Sequence, residues 1–203
     1  TTKISGDFLF MCGGYYSYDD PHRPEFPGES RYQGQVLHPQ FWPEDLDYEG
    51  KKVIVIGSGA TAMTIVPSMT QKGAQVTMVQ RSPTYVVSRP AEDKIANTLR
   101  KWLPEKWAYA ITRLKNTTLS GYFYRQTRSQ PAKTKAQLLG MATANLGEEM
   151  VKAHFTPSYN PWDQRMCLIP DGDLYQSINE GSAQVVTGDI ETWTEQGLVM
   201  KDG

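Results

Sequence analysis

Cysteine is nearly absent from this chain: Cys12 and Cys167 are the two thiols among 203 residues. They stand isolated, without metal-ligand spacing, which argues against a zinc site or a disulfide framework. The expectation is two buried free thiols in a reducing, cytoplasmic setting. Long apolar runs are missing too. None reaches the roughly 20 residues that cross a bilayer, and no signal-peptide pattern stands at the start. Neither sign of charge dominates, since 21 Lys and Arg face 22 Asp and Glu for a net charge of −1. That balance speaks against general nucleic-acid affinity. With 39% hydrophobic and 21% charged residues, the composition is that of a soluble globular protein of one or two domains.

The charges are unevenly placed. Residues 1–50 are acidic, 94–135 strongly basic, and the last third acidic again. The basic block reads first as a solvated helical face, so membrane contact is not expected. Attraction of an anionic cofactor, or contact with an anionic membrane, are its functional alternatives.

The most informative stretch runs from Lys51 to Ser82. An apolar run, Val53 to Ile56, ends in Gly57-Ser58-Gly59-Ala60-Thr61-Ala62 and leads into a helical pattern. A second β-branched segment, Val76 to Val79, stops at Gln80-Arg81-Ser82. This strand–glycine turn–helix–strand order is that of a dinucleotide-binding unit. Gly57 makes the tight turn, where a side chain is expected to clash. Gly59 lets the backbone approach a pyrophosphate resting on the helix N-terminus. Ala62 satisfies the small third position. In NAD sites an acidic residue about 20 positions on accepts from the ribose 2′-hydroxyl. Here Arg81 stands there, and its fork of donors suits a 2′-phosphate. The expectation is an α/β, Rossmann-like parallel-sheet domain that binds NADP(H).

Around that unit the chain is easily divided. It opens Thr1-Thr2-Lys3 without an initiator Met and enters a strand-like segment, Asp7–Cys12, closed by Gly13-Gly14. It stops at Lys201-Asp202-Gly203, a hairpin-turn signal with no returning strand behind it. Both ends suggest a piece of a larger protein. Residues 15–50, rich in Pro, Tyr, Asp and Glu, read as an ordered connector. Pro83 and Pro90 punctuate an expected loop. Helices then follow over 91–150: Ile95, Leu99, Trp102 and Leu103 share one face, as do Trp107, Ile111 and Leu114, with Pro104 between the runs. Asn116–Arg128 and Lys135–Val151 read as further helices, His154–Arg165 as a loop and Asp173–Ile178 as a short helix. Strands are expected over Ala183–Ile190 and within Glu191–Met200. The nucleotide unit is thus interrupted by a helical insert, about 91–165, longer than a usual crossover.

Just upstream of the glycine turn stands Tyr32-Gln-Gly34-Gln-Val-Leu-His38-Pro-Gln-Phe-Trp42-Pro43. Taken alone, His38 reads as a hydrogen-bonded structural residue and Trp42 as packing. Arg165 reads as an ion-pair partner of its neighbour Asp163. The segment nevertheless resembles the F-x-G-x-x-x-H-x-x-x-W-P fingerprint of Baeyer–Villiger flavoprotein monooxygenases, a branch of the flavin-containing monooxygenases, with Tyr32 in place of Phe. Four blocks in order extend the resemblance: His38–Tyr48, Gly57–Pro67, Gln80–Tyr85 and Asn160–Leu174. They look most like the subgroup typified by the ethionamide-activating monooxygenase.

The resemblance implies a two-dinucleotide enzyme whose NADP domain is inserted between halves of an FAD domain. The FAD fingerprint is absent here. Asp7–Gly14 would be the strand leaving the FAD domain, with Gly13 where relatives have Ser or Thr. Residues 1–50 would be linker and connector, and 51–203 the NADP-binding domain with its insert. FAD would belong to the intact protein, and this piece alone would be silent. Residues Gly57, Ser58, Gly59, Ala60, Thr61, Ala62 and Met63 would hold the pyrophosphate and adjoining ribose. Arg81 and Ser82 would take the 2′-phosphate. Gln164 stands where many relatives have a phosphate-binding Lys, which leaves Arg81 more of the discrimination. Arg165 would reach the flavin as the catalytic residue, stabilising the oxygenated flavin and the oxyanion of the substrate adduct. His38 and Trp42 would couple NADP binding to domain closure. In the intact enzyme NADPH would reduce FAD, and O2 would supply one oxygen to a ketone or a sulfur compound.

Two other readings stay open. A self-sufficient NADP-dependent dehydrogenase would need its own acid–base pair. A Tyr-x-x-x-Lys spacing occurs at Tyr48 and Lys52, but ahead of the glycine turn. A non-catalytic NADP-binding module is the third.

Overall fold

The structure, a computed structural model, describes residues 3, 5–14 and 16–201. In chain order the elements are β1 (Lys52–Ile56), α1 (Ala60–Thr70), β2 (Gln75–Gln80), β3 (Tyr85–Arg89), α2 (Lys94–Trp102) and α3 (Glu105–Ser129). Then come α4 (Pro131–Leu146), α5 (Glu148–His154), β4 (Met166–Pro170), α6 (Asp173–Asn179), β5 (Ala183–Thr187), β6 (Ile190–Trp193) and β7 (Leu198–Met200).

β2 is the centre of a three-stranded parallel sheet ordered β1-β2-β5. Val53 stands opposite Val76, and Val76 opposite Ala183, so one register runs across all three strands. A strand flanked on both edges and covered on its faces should be apolar without alternation. Val76, Met78 and Val79 of β2 are all buried accordingly. On α1, Ala62, Met63, Val66 and Met69 recur at three- and four-residue intervals and are buried. That stripe packs on β2 and α6, and a single core joins it to Ile169, Leu174, Tyr175 and Val185. The expected α/β architecture with parallel strands is present.

Some local expectations fail. Pro83 and Pro90 bracket a strand and not a loop: Tyr85 to Val87 are buried, and β3 pairs in parallel with β4, Tyr85 opposite Met166. Prolines are tolerated at strand ends because no ladder donor is needed there. The separate runs at Trp107 and Asn116 are one helix of 25 residues, ended where Pro131 opens α4. The run expected over Lys135–Val151 is broken at Gly147, whose φ of +83° no helix accommodates. Asp7–Cys12 forms no strand within these residues; Phe8, Leu9, Phe10 and Met11 are exposed, and so is Cys12. Cys12 is therefore not the buried thiol expected, whereas Cys167 is buried. The turn signal at the C-terminus falls partly on Asp202 and Gly203, which lie outside the described residues. Before it, β6 and β7 form an antiparallel hairpin.

Candidate functional site

The glycine turn lies at the C-terminal ends of β1 and β2. Gly57 leaves β1 with φ at +129°, and its N–H donates to Val79 O at 2.8 Å. A Cβ on Gly57 would meet nothing within 4 Å. The expected clash is thus absent, and it is the left-handed backbone that calls for glycine. Gly59 precedes α1 with φ at −80°, and a Cβ there would also enter open space. No side chain caps this helix, so its first-turn N–H groups face the turn.

Ser58 is the buried residue of the turn and joins three segments. Its Oγ donates to Ser82 O at 3.4 Å and accepts from Arg165 Nη2 at 3.2 Å. Its carbonyl faces the Cys167 Sγ at 3.8 Å. Burial pushes the Cys167 thiol up, against the opposing pull of Arg165. Arg165 does not pair with Asp163. That carboxylate is held by Arg128 at 2.6 Å, which draws its pKa down. The Arg165 guanidinium is thereby released toward the turn.

The Arg165 backbone is fixed by groups that the sequence did not announce. Its carbonyl accepts from Thr84 Oγ1 at 3.4 Å and from Tyr159 Oη at 3.3 Å. Tyr85 Oη donates to Tyr159 O at 2.5 Å, and burial raises the Tyr85 pKa to about 12. Thr84 and Tyr85 belong to the Gln80–Tyr85 block, which was the available signal; Tyr159 gave none.

Arg81 and Ser82 stand exposed just beyond β2, and Arg81 makes no hydrogen bond or ion pair among the described residues. Gln80, directly before it, is buried. Its Nε2 donates to His154 O at 2.7 Å and to Thr187 Oγ1 at 3.0 Å. His154 Nδ1 lies 2.8 Å from the same hydroxyl, and burial lowers its pKa. Ala60, Thr61 and Gln164 are exposed, whereas Ala62 and Met63 face the core. Met63 is thus presented to α1's packing face and not to the turn.

The upstream signature is split between two places. Tyr32 sets its ring edge-on to Trp193, centroids 5.3 Å apart, and a Cβ on Gly34 would run into the Tyr32 ring. Gln33 N donates to Glu195 O at 3.0 Å, so this half is tied to the β6–β7 hairpin. His38 Nδ1 accepts from Gln40 N at 3.2 Å, closing a short turn at Pro39–Phe41. Trp42, followed by half-buried Pro43, stacks edge-on to Tyr48 beside α1 residues Ile65 and Met69. Neither His38 nor Trp42 touches the glycine turn or Arg165 among the described residues. Tyr48 is engaged by Trp42 and by the Lys72 ammonium, and Lys52 opens β1; the two form no acid–base pair.

The chemistry on offer is therefore anion binding: open backbone over Gly57 and Gly59, free helix N–H groups, and the cations Arg81 and Arg165. The residues present fit a dinucleotide pyrophosphate. Among the described residues no group of three or more His, Cys, Asp or Glu is placed to hold a metal ion.

The comparisons with known proteins agree in kind. The chain is 47% identical over 204 residues to the FAD-containing monooxygenase EthA of Mycobacterium tuberculosis, covering 100% of this chain and 42% of that protein. The chain thus spans less than half the length of that relative. Among solved structures, an oxidized steroid monooxygenase bound to NADP superposes with a TM-score of 0.68 at 22% identity, over 90% of this chain and 42% of that one. Cyclohexanone monooxygenase from Rhodococcus sp. Phi1, bound to NADP+, gives 0.64 at 18% identity, over 90% and 41%. Residues 3–132 match the FMO-like, flavin-binding monooxygenase-like family, and the chain belongs to that family.

Proposed function

We propose that this chain is the NADP(H)-binding domain, with its linkers, of an FAD-dependent monooxygenase. The observation that supports it most is the buried Ser58 hydroxyl of the glycine turn, which joins Arg165 on one side to the carbonyl of Ser82, the residue after Arg81, on the other. Residues 51–203 form the nucleotide unit, with an insert of about 91–165, and 1–50 connect it to the rest of the protein. The N–H groups at the start of α1, Gly59 to Thr61, would hold the pyrophosphate, with open space beside Gly57 and Gly59. Arg81 would hold the 2′-phosphate, which its guanidinium fork suits, and Ser82 would add a hydroxyl. Gln164, with no charge, orients without discriminating.

FAD, bound by the rest of the protein, supplies the redox chemistry that passes one oxygen of O2 to a ketone or a sulfur compound. Arg165 contributes a permanent charge that stabilises oxyanions developing beside it. Its backbone is pinned by Thr84 and Tyr159, which fixes the point from which the guanidinium extends. Tyr32, Gly34, His38, Trp42 and Pro43 shape the linker and hold no reacting atom.

The test is steady-state turnover of the full-length protein with NADPH and NADH, before and after Arg81→Glu. A preference for NADPH that falls by on the order of 10- to 100-fold is expected from losing a charge-assisted bidentate contact. Equal use of both nucleotides by the unaltered protein would remove the assignment.

A further inference from the structure

We propose that the α2–α3 hairpin is an in-plane anchor that docks this protein on an anionic phospholipid bilayer. The apolar stripes legible in these helices point outward and not into a core. Trp102 is 82% exposed, Trp107 66%, Leu114 68% and Tyr122 58%. On α3, Trp107, Ile111, Leu114 and Tyr122 fall within one stripe at helical spacing. Of its 25 residues, Ala108 and Thr127 alone are buried. The hairpin is held together without using that stripe: α2 packs back on α3, and Lys115 pairs with the α2 cap residue Asp93.

Charge decides what covers the stripe. Residues 94–129, the hairpin itself, hold eight Lys and Arg against the single acidic Glu105. Lys115 and Arg128 are held by carboxylates, which leaves six of the hairpin's cations without one among the described residues. Arg100, Lys101 and Lys106 bracket Trp102 and Trp107 across the Pro104 turn. A face destined for a protein interior is depleted in unpaired cations at its centre. Tryptophan and tyrosine set among Lys and Arg match a bilayer boundary, where rings sit at headgroup level and cations meet lipid phosphate. Single-stranded nucleic acid, the other polyanion, stacks its bases on aromatic rings, but Ile111 and Leu114 at the centre of this stripe offer no stacking face, and the chain's net charge is −1. None of the described helices is long and apolar enough to cross a membrane, so the hairpin lies on the surface. This reverses the solvated face expected from charge alone, and it stands independently of the cofactor reading.

The experiment is flotation of the full-length, FAD-loaded protein with phosphatidylcholine vesicles, with and without phosphatidylglycerol. The unaltered protein should float with the anionic vesicles, stay behind with the neutral ones, and be released by high salt. The variant Trp102→Ser/Trp107→Ser and the variant Arg100→Glu/Lys101→Glu/Lys106→Glu should each lower the bound fraction about tenfold, while turnover of a water-soluble ketone is unchanged. Brominated lipid should quench the tryptophan emission of the bound protein. No flotation with anionic vesicles would overturn the proposal, as would binding that both variants retain. So would Trp102 and Trp107 already shielded from acrylamide in the vesicle-free full-length protein, for then another part of the same protein covers the stripe.

Discussion

Arg165 donates to the Ser58 hydroxyl at 3.2 Å across 107 residues of sequence, while its neighbour Asp163 is taken by Arg128. The Arg165 guanidinium is therefore tethered to the turn by one part-buried, charge-assisted hydrogen bond to a neutral hydroxyl, a class worth about 1.5–3 kcal/mol. A hydroxyl offers that guanidinium a single neutral acceptor, whereas an anion bound at the turn would offer several acceptors and an opposite charge, and so would compete with the tether.

Replacing Arg165 by Ala should leave flavin reduction by NADPH nearly intact and abolish product formation in the full-length enzyme. Stopped-flow flavin absorbance and product analysis separate the two steps; unchanged oxygenation would deny Arg165 its role. Arg128→Ala should weaken product formation in part, because the freed Asp163 then competes for the same guanidinium.

The two turn glycines should respond differently to alanine. Gly57→Ala forces φ of +129° on an L-residue in open space, a conformational cost of about 1–3 kcal/mol, visible as a lowered Tm. Gly59→Ala keeps an ordinary φ of −80° and should leave Tm nearly unchanged. It should instead weaken NADP+ binding, measured by calorimetry, because the added methyl would stand on the face of the turn proposed to receive the phosphate.

Acid should destabilise the fold through His154. Burial holds its pKa below the ordinary value of 6.5, so the unfolded chain binds a proton first as pH falls. Stability is unaffected above that value, declines as pH drops through it, and levels off below the folded-state pKa. Urea titrations at pH 7.5 and 5.5 should show that loss in the parent and a smaller one in His154→Gln.

Tyr85→Phe removes the donor to Tyr159 O and leaves that carbonyl without its partner. A loss of about 1–2 kcal/mol is expected in chemical denaturation. The loop bearing Arg165 should also loosen, which hydrogen exchange over residues 159–165 would register.

Residue order alone determined the β1–α1–β2 unit, its glycine turn and the place of Arg81. Each depends on interactions within some thirty residues, where backbone preference and apolar period speak directly. The β3–β4 pair was hidden because its ladder joins Tyr85 to Met166, and neither partner shows alternation that would signal a strand by itself. Thr84, Tyr159 and Ser58 converge on Arg165 only after that ladder forms. The stripe of Trp107, Ile111 and Leu114 was legible as a stripe, but not as an exposed one. Periodicity records which side chains share a helix face; what covers that face is fixed by the packing of distant segments, and tertiary structure alone decided it.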